Sequence, residues 1–354
     1  MPSYIPFLEL DSLSPKLVVD SYHPEAFNLS HWRGANIHSH LQDDTSTGIV
    51  LNAIKQNIPE LSYPYVSNNH WDIDGFMGIW SLLNPELAIE YEEVIRAMSL
   101  LGDFREWDTN REYADKVLKL VCWLNTIEKK EFYKPFGAGE FEQNELIGSI
   151  EKYHYFLPRF EEVLKNPDSF KEDWRAEYDK VKAHLPLKNQ KFIPDIRLSI
   201  VKADTPLHYY ALFAESGQAD MVLMMYPENR NELEYKYTTW VDTPLRKSFP
   251  RISFKPLAAH LNKLEENGKW VYHAIKDTGP SLHLHTSTLD KADRFDHPFT
   301  REIGSSSIPA EQFQEIITSY YRKAYEYVSP QSLWTWKEMQ EVNERVGSKL
   351  TPWK

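Results

Sequence analysis

The stretch "YPYVSNNHWDIDGFMGIWSLL" at residues 63–83 joins an apolar segment to a helical one through a run of polar side chains. Residues 63–69 predict a strand, and residues 75–83 predict the start of a helix. Gly75 lets the backbone turn tightly between the two. A strand followed directly by a helix favours a layered α/β fold.

The same rhythm occurs earlier in the chain. The segment "KLVVDSY" at residues 16–22 predicts a short buried strand. Residues 43–57 predict a helix, whose N-cap is expected to be one of the polar residues at its start: Asp43, Asp44, Thr45 or Ser46. This repetition favours a largely parallel sheet, because helices commonly connect parallel strands.

The expected fold class is α/β, with a mostly parallel sheet domain, a helical insertion, a second smaller α/β domain and a C-terminal helical extension. Residues 1–185 are the first domain, in which residues after 85 supply the insertion through apolar positions at helical spacing. Residues 190–288 are the second domain, since strand-like segments surround one helix. Residues 289–354 form the extension, which starts with a polar loop and ends in two aromatic-rich helices.

Composition and charge exclude several classes of function. The 354-residue chain has 42% hydrophobic and 26% charged residues and a formal net charge of −12. This charge argues against bulk binding of nucleic acid or anionic membranes. Cys122 is the only cysteine, so no intramolecular disulfide can form, and a cytoplasmic location is expected. No signal peptide and no membrane-spanning run are recognised in the sequence.

A candidate metal site lies within the opening stretch. His70, Asp72 and Asp74 alternate with apolar residues, and side chains two apart in an extended chain share one face, about 7 Å apart. Sites in α/β proteins form beyond the carboxyl ends of the strands. Imidazole and carboxylate ligands suit Mn²⁺, Fe²⁺ or Zn²⁺. The alternative is an ordinary loop, in which Asp72 caps the helix and His70 bonds to the backbone.

The stretch "NNHWDIDGFMGIWSLL" resembles the first motif of the DHH phosphoesterase superfamily, a strand, then His-x-Asp-x-Asp-Gly, then a helix. The resemblance implies a two-metal centre, usually manganese, held by His70, Asp72 and Asp74, with Asp74 also serving catalysis. It also implies a smaller substrate domain. The Asp-His-His triplet and the Gly-Gly-Gly-His signature are absent from the sequence. Three histidines lie where the second signature would fall: His273, His283 and His285.

A wider resemblance, over about residues 4–285, is to an uncharacterised bacterial family of unknown function. The matching stretches include "LSHWRG", "DDTSTGIVL" and "VSNNHWDIDGFMGIWSLLNPE". This resemblance implies a shared fold and assigns no activity. The tail after about residue 290 is expected to lie outside the family.

The matching stretches supply two further candidate metal ligands. Asp44 precedes the helix predicted at residues 43–57, so a role as its N-cap is an equal alternative. Asp103 lies in "LGDF", where Gly102 is expected to end a helix in the left-handed conformation and to aim Asp103 at the site.

Four more residues near these stretches are candidates for chemistry or substrate binding. His31 is predicted to be a general acid or a partner behind the ligands, and Arg33 to hold a substrate anion. The alternative is a surface loop with a packed Trp32. The amides of Asn68 and Asn69 are predicted to contact the substrate.

A local basic cluster occurs in "TTWVDTPLRKSFPR" at residues 238–251. Arg246 and Arg251 are predicted to bind a phosphate or carboxylate, with Trp240 stacking on a base or sugar. A basic hairpin loop without a ligand is an even alternative.

The function expected is a divergent metal-dependent hydrolase, a phosphoesterase acting on a small, nucleotide-like anion with manganese, iron or zinc as cofactor. One alternative is a non-catalytic protein of similar fold that binds a ligand or assembles with a partner. Another is a metal-dependent hydrolase of amides. Self-association into a homo-oligomer is left open, and no membrane partner is expected.

Overall fold

The computed structural model describes residues 2–132, 145–286 and 302–349. The chain divides into two compact units, residues 1–180 with 241–245 and residues 181–240 with 246–354. The polar loop expected near residue 290 lies outside the described residues.

The first unit contains a four-stranded sheet in which every pairing is parallel. Its strands are β1 (Ser3–Tyr4), β2 (Lys16–Val19), β3 (Phe27–Leu29) and β4 (Tyr65–Ser67). Their order across the sheet is β1-β4-β2-β3, so β2 lies between β4 and β3. All four residues of β2 are buried, as expected for a central strand covered on both faces. The two strands predicted here are confirmed with shorter bounds.

The helices of this part of the chain include two that precede residue 85 and six in the region where the sequence predicted a helical insertion. They are α1 (Ser46–Gln56), α2 (Ile73–Leu83), α3 (Pro85–Glu90), α4 (Glu92–Phe104), α5 (Ala114–Glu131), α6 (Glu145–Phe156), α7 (Phe160–Lys165) and α8 (Lys171–His184). The cap of α1 is Thr45, whose side chain accepts a hydrogen bond from the N–H of Gly48 at 3.0 Å. The cap role offered as an alternative for Asp44 is therefore wrong.

Helix α2 begins earlier than the sequence predicted. The Asp72 carboxylate accepts the N–H of Gly75 at 2.7 Å and caps the helix, which confirms the alternative reading of Asp72. Asp74 consequently lies in the first helical turn. The expectation that His70, Asp72 and Asp74 share one extended segment is wrong, because the cap starts the helix before Asp74.

Helix α4 continues past the glycine that was expected to end it. The left-handed residue is Arg105, with φ of 58°, so Gly102 and Asp103 are both helical. Gly102 instead serves close packing, since a Cβ there would lie 2.6 Å from the Cβ of Ile73. The predicted C-cap at Gly102 is wrong, because α4 continues to Phe104.

The second unit contains a six-stranded mixed sheet of order β5-β6-β7-β8-β10-β9. Its strands are β5 (Asn189–Ile193), β6 (Leu198–Lys202), β7 (Met221–Tyr226), β8 (Arg230–Tyr235), β9 (Lys269–Tyr272) and β10 (Ser281–His285). The pair β6 and β7 is parallel, and the other pairs are antiparallel. Its helices are α9 (Tyr209–Phe213), α10 (Lys255–Leu261), α11 (Ala310–Ala324) and α12 (Trp336–Lys349).

The C-terminal helices contribute to the core of this second unit. The Phe313 ring of α11 stacks on Trp270 of β9 at 4.7 Å between centroids, and the Tyr321 hydroxyl lies 3.0 Å from that of Tyr235. The predicted α/β class, with helices at its C-terminal end, is confirmed. Among the described residues, no helix is both long and apolar enough to cross a membrane.

Candidate metal centre

Three polar side chains follow the carboxyl ends of neighbouring strands in the first unit. Asp20 comes directly after β2, His31 lies two residues beyond β3, and His70 lies three residues beyond β4. Because β4, β2 and β3 are adjacent and parallel, these residues emerge at one edge of the sheet. The φ of Asp20 is 48°, in the left-handed region, so the chain turns sharply where β2 ends.

Asp20 lies between two imidazoles and faces each with a different oxygen. Its Oδ1 is 3.1 Å from His31 Nε2, and its Oδ2 is 3.2 Å from His70 Nε2. The side chain of Asp20 is 1% exposed, so its charge is removed from bulk water. A carboxylate in this position can bridge two cations, one on each oxygen.

Asp20, His31 and Asp74 form what we call the inner group, whose ligand atoms lie within 4.8 Å of one another. His31 Nε2 is 3.8 Å from Asp74 Oδ2, and both side chains are at most 2% exposed. Asp103 adjoins this group, with Oδ2 at 3.5 Å from His31 Nε2. The inner group thus offers one nitrogen and two carboxylates, with a third carboxylate beside them.

Asp20, His70 and Asp72 form the outer group, whose ligand atoms also lie within 4.8 Å of one another. His70 Nε2 is 3.3 Å from Asp72 Oδ2. The side chains of His70 and Asp72 are 24% and 35% exposed, so solvent reaches this group far more readily than the inner one. The two groups share Asp20 and otherwise use different residues.

Both histidines are oriented by a hydrogen bond at the ring nitrogen that faces away from Asp20. His31 Nδ1 is 2.7 Å from the backbone oxygen of Asp44, and His70 Nδ1 is 2.8 Å from Asn69 Oδ1. An oxygen acceptor places the proton on Nδ1, so the neutral ring presents the lone pair of Nε2 to the site. Metal-binding histidines are held in this way by partners behind the ligand.

The N-terminus of α1 holds the Asp74 carboxylate. The N–H of Ser46 donates to Oδ2 at 2.7 Å, and the N–H of Thr47 donates to Oδ1 at 2.9 Å. An anion is favoured there, because the first N–H groups of a helix have no partner within the helix. Each oxygen keeps a further lone pair for a cation.

The carboxylates of the inner group repel one another. Burial, together with the charge of Asp20, raises the pKa of Asp74 to about 7. Burial and the charges of Asp74 and Asp72 raise the pKa of Asp103 well above its ordinary value. Asp74 and Asp103 therefore bind protons more readily than ordinary aspartates do.

The pKa values of the two imidazoles are also raised, because the rings face these carboxylates. Burial lowers the pKa of His31, but the hydrogen bond to Asp20 and the charge of Asp103 outweigh it and raise that pKa to about 10. Burial is likewise outweighed at His70, where Asp72 and Asp20 raise the pKa to about 11. Protons on these imidazoles would compete with a divalent cation for the same nitrogen atoms.

The structure brings most of the predicted ligands together and places one elsewhere. His70, Asp72, Asp74 and Asp103 all lie at the site. Within the described ranges, neither group includes Asp44. Its Oδ1 accepts the N–H of Leu245 at 2.8 Å, and its backbone oxygen orients His31.

Sequence reasoning missed Asp20, the residue shared by both groups. It was included in the strand expected at residues 16–22, whereas the strand ends at Val19. The available signal was an aspartate directly after a run of buried apolar residues, at the strand end where α/β sites form.

The other candidates of the first unit lie around the histidines. Asn68 is 2% exposed, donates from Nδ2 to the Tyr153 hydroxyl at 3.1 Å and accepts the N–H of His70 at 3.3 Å. Asn69 supports the His70 ring. Arg33 Nε lies 3.4 Å from Asp242 Oδ1. These contacts hold the loops that carry the ligands, and substrate contact by these residues stays a prediction.

The basic cluster lies mainly in the second unit, where its members have protein partners. Arg251 is 6% exposed and donates from Nη1 to two backbone oxygens of residues 275–277. Arg246 Nη1 donates to the Tyr237 hydroxyl at 2.7 Å. Trp240 is 50% exposed and donates from Nε1 to the same 275–277 segment. Their predicted role in anion binding stays a prediction.

The first unit is thus an α/β fold with a buried carboxylate and imidazole cluster at the carboxyl edge of a parallel sheet. The sequence profile of a family of unknown function (DUF6687) matches residues 1–332, and the chain belongs to that family. No curated protein matches the chain. The family limit expected near residue 285 is wrong, because the match includes α11, which packs in the core of the second unit.

Proposed function

We propose that this protein is a metal-dependent hydrolase whose centre binds two divalent cations, one in the inner group and one in the outer group. The observation that carries the proposal is the position of Asp20, with its two oxygens 3.1 Å and 3.2 Å from the Nε2 atoms of His31 and His70. A carboxylate shared between two imidazoles can bridge two cations, one on each oxygen.

The donor set fits such a pair of ions. Each group offers one imidazole nitrogen and two carboxylates, and Asp103 adds a further oxygen beside the inner group. Nitrogen and oxygen donors of this kind suit manganese, iron and zinc, and manganese is our first choice. The raised pKa values of Asp74 and Asp103 support the proposal, because two cations would offset the repulsion between these closely placed carboxylates.

The chemistry follows from the different exposure of the two groups. Two bound divalent cations would lower the pKa of water to make a nucleophile and would neutralise charge on a substrate phosphoryl group. The buried inner group resembles closed sites, whereas the partly exposed His70 and Asp72 leave the outer group open to a substrate. His31, buried and oriented by Asp44, is better suited to hold an ion than to donate a proton to a substrate.

A phosphoester is the proposed substrate class, in the form of a small anion such as a nucleotide. The resemblance of residues 68–83 to the first DHH phosphoesterase motif supports this choice, and it is an argument by analogy. A cytoplasmic location is part of the proposal, since Cys122 is a buried free thiol. Hydrolysis of an amide by the same centre is the competing activity.

The test compares metal content and hydrolysis between the native protein and Asp20→Asn. Asp179→Asn is the matched control, because Asp179 is an exposed aspartate of the first unit paired with Arg175. Each protein is supplied with Mn²⁺, desalted, analysed for metal, and assayed with aryl phosphodiesters, aryl phosphomonoesters and an anilide.

We expect the native protein and the control to retain two ions and cleave a phosphoester, and Asp20→Asn to retain fewer and lose about 100-fold or more of the rate. Cleavage of the anilide alone would favour the amide activity. Native protein that binds manganese no better than Asp20→Asn would refute the proposal.

A further inference from the structure

Ser46, the first residue of α1, contacts every member of the inner group. Its hydroxyl donates to Asp20 Oδ1 at 2.7 Å and accepts the N–H of His31 at 3.1 Å. Its own N–H donates to Asp74 Oδ2 at 2.7 Å. Ser46 is fully buried, so these bonds do not compete with bulk water.

The hydroxyl reaches the oxygen of Asp20 that faces His31. Asp20 Oδ1 belongs to the inner side of the shared carboxylate, while Oδ2 faces His70 on the outer side. A donor on Oδ1 fixes the rotation of the carboxylate and leaves its second lone pair for a cation. The same hydroxyl fixes the backbone at His31, and so the position from which that ring extends.

Ser46 is therefore placed behind three ligands that come from three different elements of the fold. Asp20 follows β2, His31 follows β3, and Asp74 lies in α2. Ser46 bonds to all three, through its hydroxyl to Asp20 and the His31 N–H, and through its own backbone N–H to Asp74. Partners of this kind behind metal ligands typically change metal affinity by about 10- to 100-fold when removed.

We propose that Ser46 is a positioning residue that sets the affinity of the inner ion site. This inference rests on the proposed two-metal function. Ser46 is not itself a ligand in this proposal, and it acts by holding the ligands in position.

Three variants separate this role from a general packing effect. Ser46→Ala removes the hydroxyl and keeps the N–H that holds Asp74. Ser46→Thr keeps a hydroxyl at the same position. Ser81→Ala is the matched control, because Ser81 is also fully buried in the first unit and its hydroxyl donates to a backbone oxygen within its own helix.

The experiment is a manganese titration of the full chain, with Asp72→Asn used to remove the outer site. In the Asp72→Asn background, we expect Ser46→Ala to weaken the remaining inner site by about 10- to 100-fold, whereas Ser81→Ala leaves it unchanged. Ser46→Thr should recover at least part of the affinity. Thermal unfolding in the presence of a chelator measures the packing effect of each variant without metal.

The outcomes separate the two proposals. If native protein binds two ions and Ser46→Ala binds both with native affinity, the role of Ser46 is refuted and the metal centre stands. Equal losses of manganese affinity in Ser46→Ala and Ser81→Ala would also refute it, because removal of any buried serine hydroxyl would then have the same effect. If native protein binds no manganese, the metal centre fails and the role of Ser46 fails with it.

Discussion

Asp20 Oδ1 lies 3.1 Å from His31 Nε2, although the two residues follow different strands and His31 is aimed at this carboxylate by a bond to a third segment. The pairing depends on the parallel register of β2 and β3, in which Val19 lies opposite Leu29. The two residues therefore lie at corresponding ends of neighbouring strands, where a cation can be held between them.

Asp72→Asn should remove the outer ion and leave the inner one. Asn keeps the oxygen that caps α2 but loses the ion pair with His70, so the free energy of unfolding without metal should fall by no more than about 1 kcal/mol. Metal analysis should find one retained manganese instead of two. Loss of both ions would show that the two groups do not bind independently.

Asp44→Asn should leave the metal content unchanged, although the sequence marks Asp44 as a candidate ligand. Its backbone oxygen orients His31 in either variant, and an asparagine oxygen can still accept the N–H of Leu245. Metal analysis after desalting measures this. Loss of an ion in this variant would show that Asp44 is a metal ligand and that the inner group is arranged differently.

Much of the first unit was predictable because its signals are local. The buried run that forms β2 and the cap at Asp72 are read from a few consecutive residues. His70, Asp72 and Asp74 were found together for the same reason. Their separation into two groups was not predictable, because it depends on where α2 begins.

The shared position of Asp20 could not be read from local pattern. It requires β4 and β3 to flank β2, and strand order is a property of the whole sheet. His31 was recognised as a candidate general acid or partner behind the ligands, but its contact with Asp20 was not foreseen, since it joins segments that only the fold brings together. The C-cap predicted at Gly102 was wrong because the helix continues past it. The close approach of Gly102 to Ile73 is a tertiary contact that the local sequence does not reveal.

Removal of metal should destabilise the first unit. A ligand that binds only the folded state adds about 2.7 kcal/mol per site at a free concentration 100 times its Kd. We therefore expect the Tm of the native protein to fall when a chelator replaces manganese, and the Tm of Asp20→Asn to change much less. Equal shifts in both proteins would assign the effect to a different metal site.

Tyr153→Phe should destabilise the protein because it removes the hydrogen-bond acceptor of the buried Asn68 amide. Asn68 Nδ2 donates to the Tyr153 hydroxyl, and both side chains are at most 2% exposed. Loss of the acceptor should cost about 1–3 kcal/mol of unfolding free energy, measured by urea denaturation. Tyr22→Phe is the control, since Tyr22 is 47% exposed, and an equal loss in both variants would rule out the stranded amide as the cause.

The most direct test of the two-metal centre is anomalous X-ray diffraction from crystals grown with Mn²⁺, recorded on both sides of the manganese absorption edge. Our account predicts two anomalous peaks, one on each side of the Asp20 carboxylate, the first beside His31 and Asp74 and the second beside His70 and Asp72. An absence of peaks at Asp20, with manganese bound elsewhere or not at all, would contradict it.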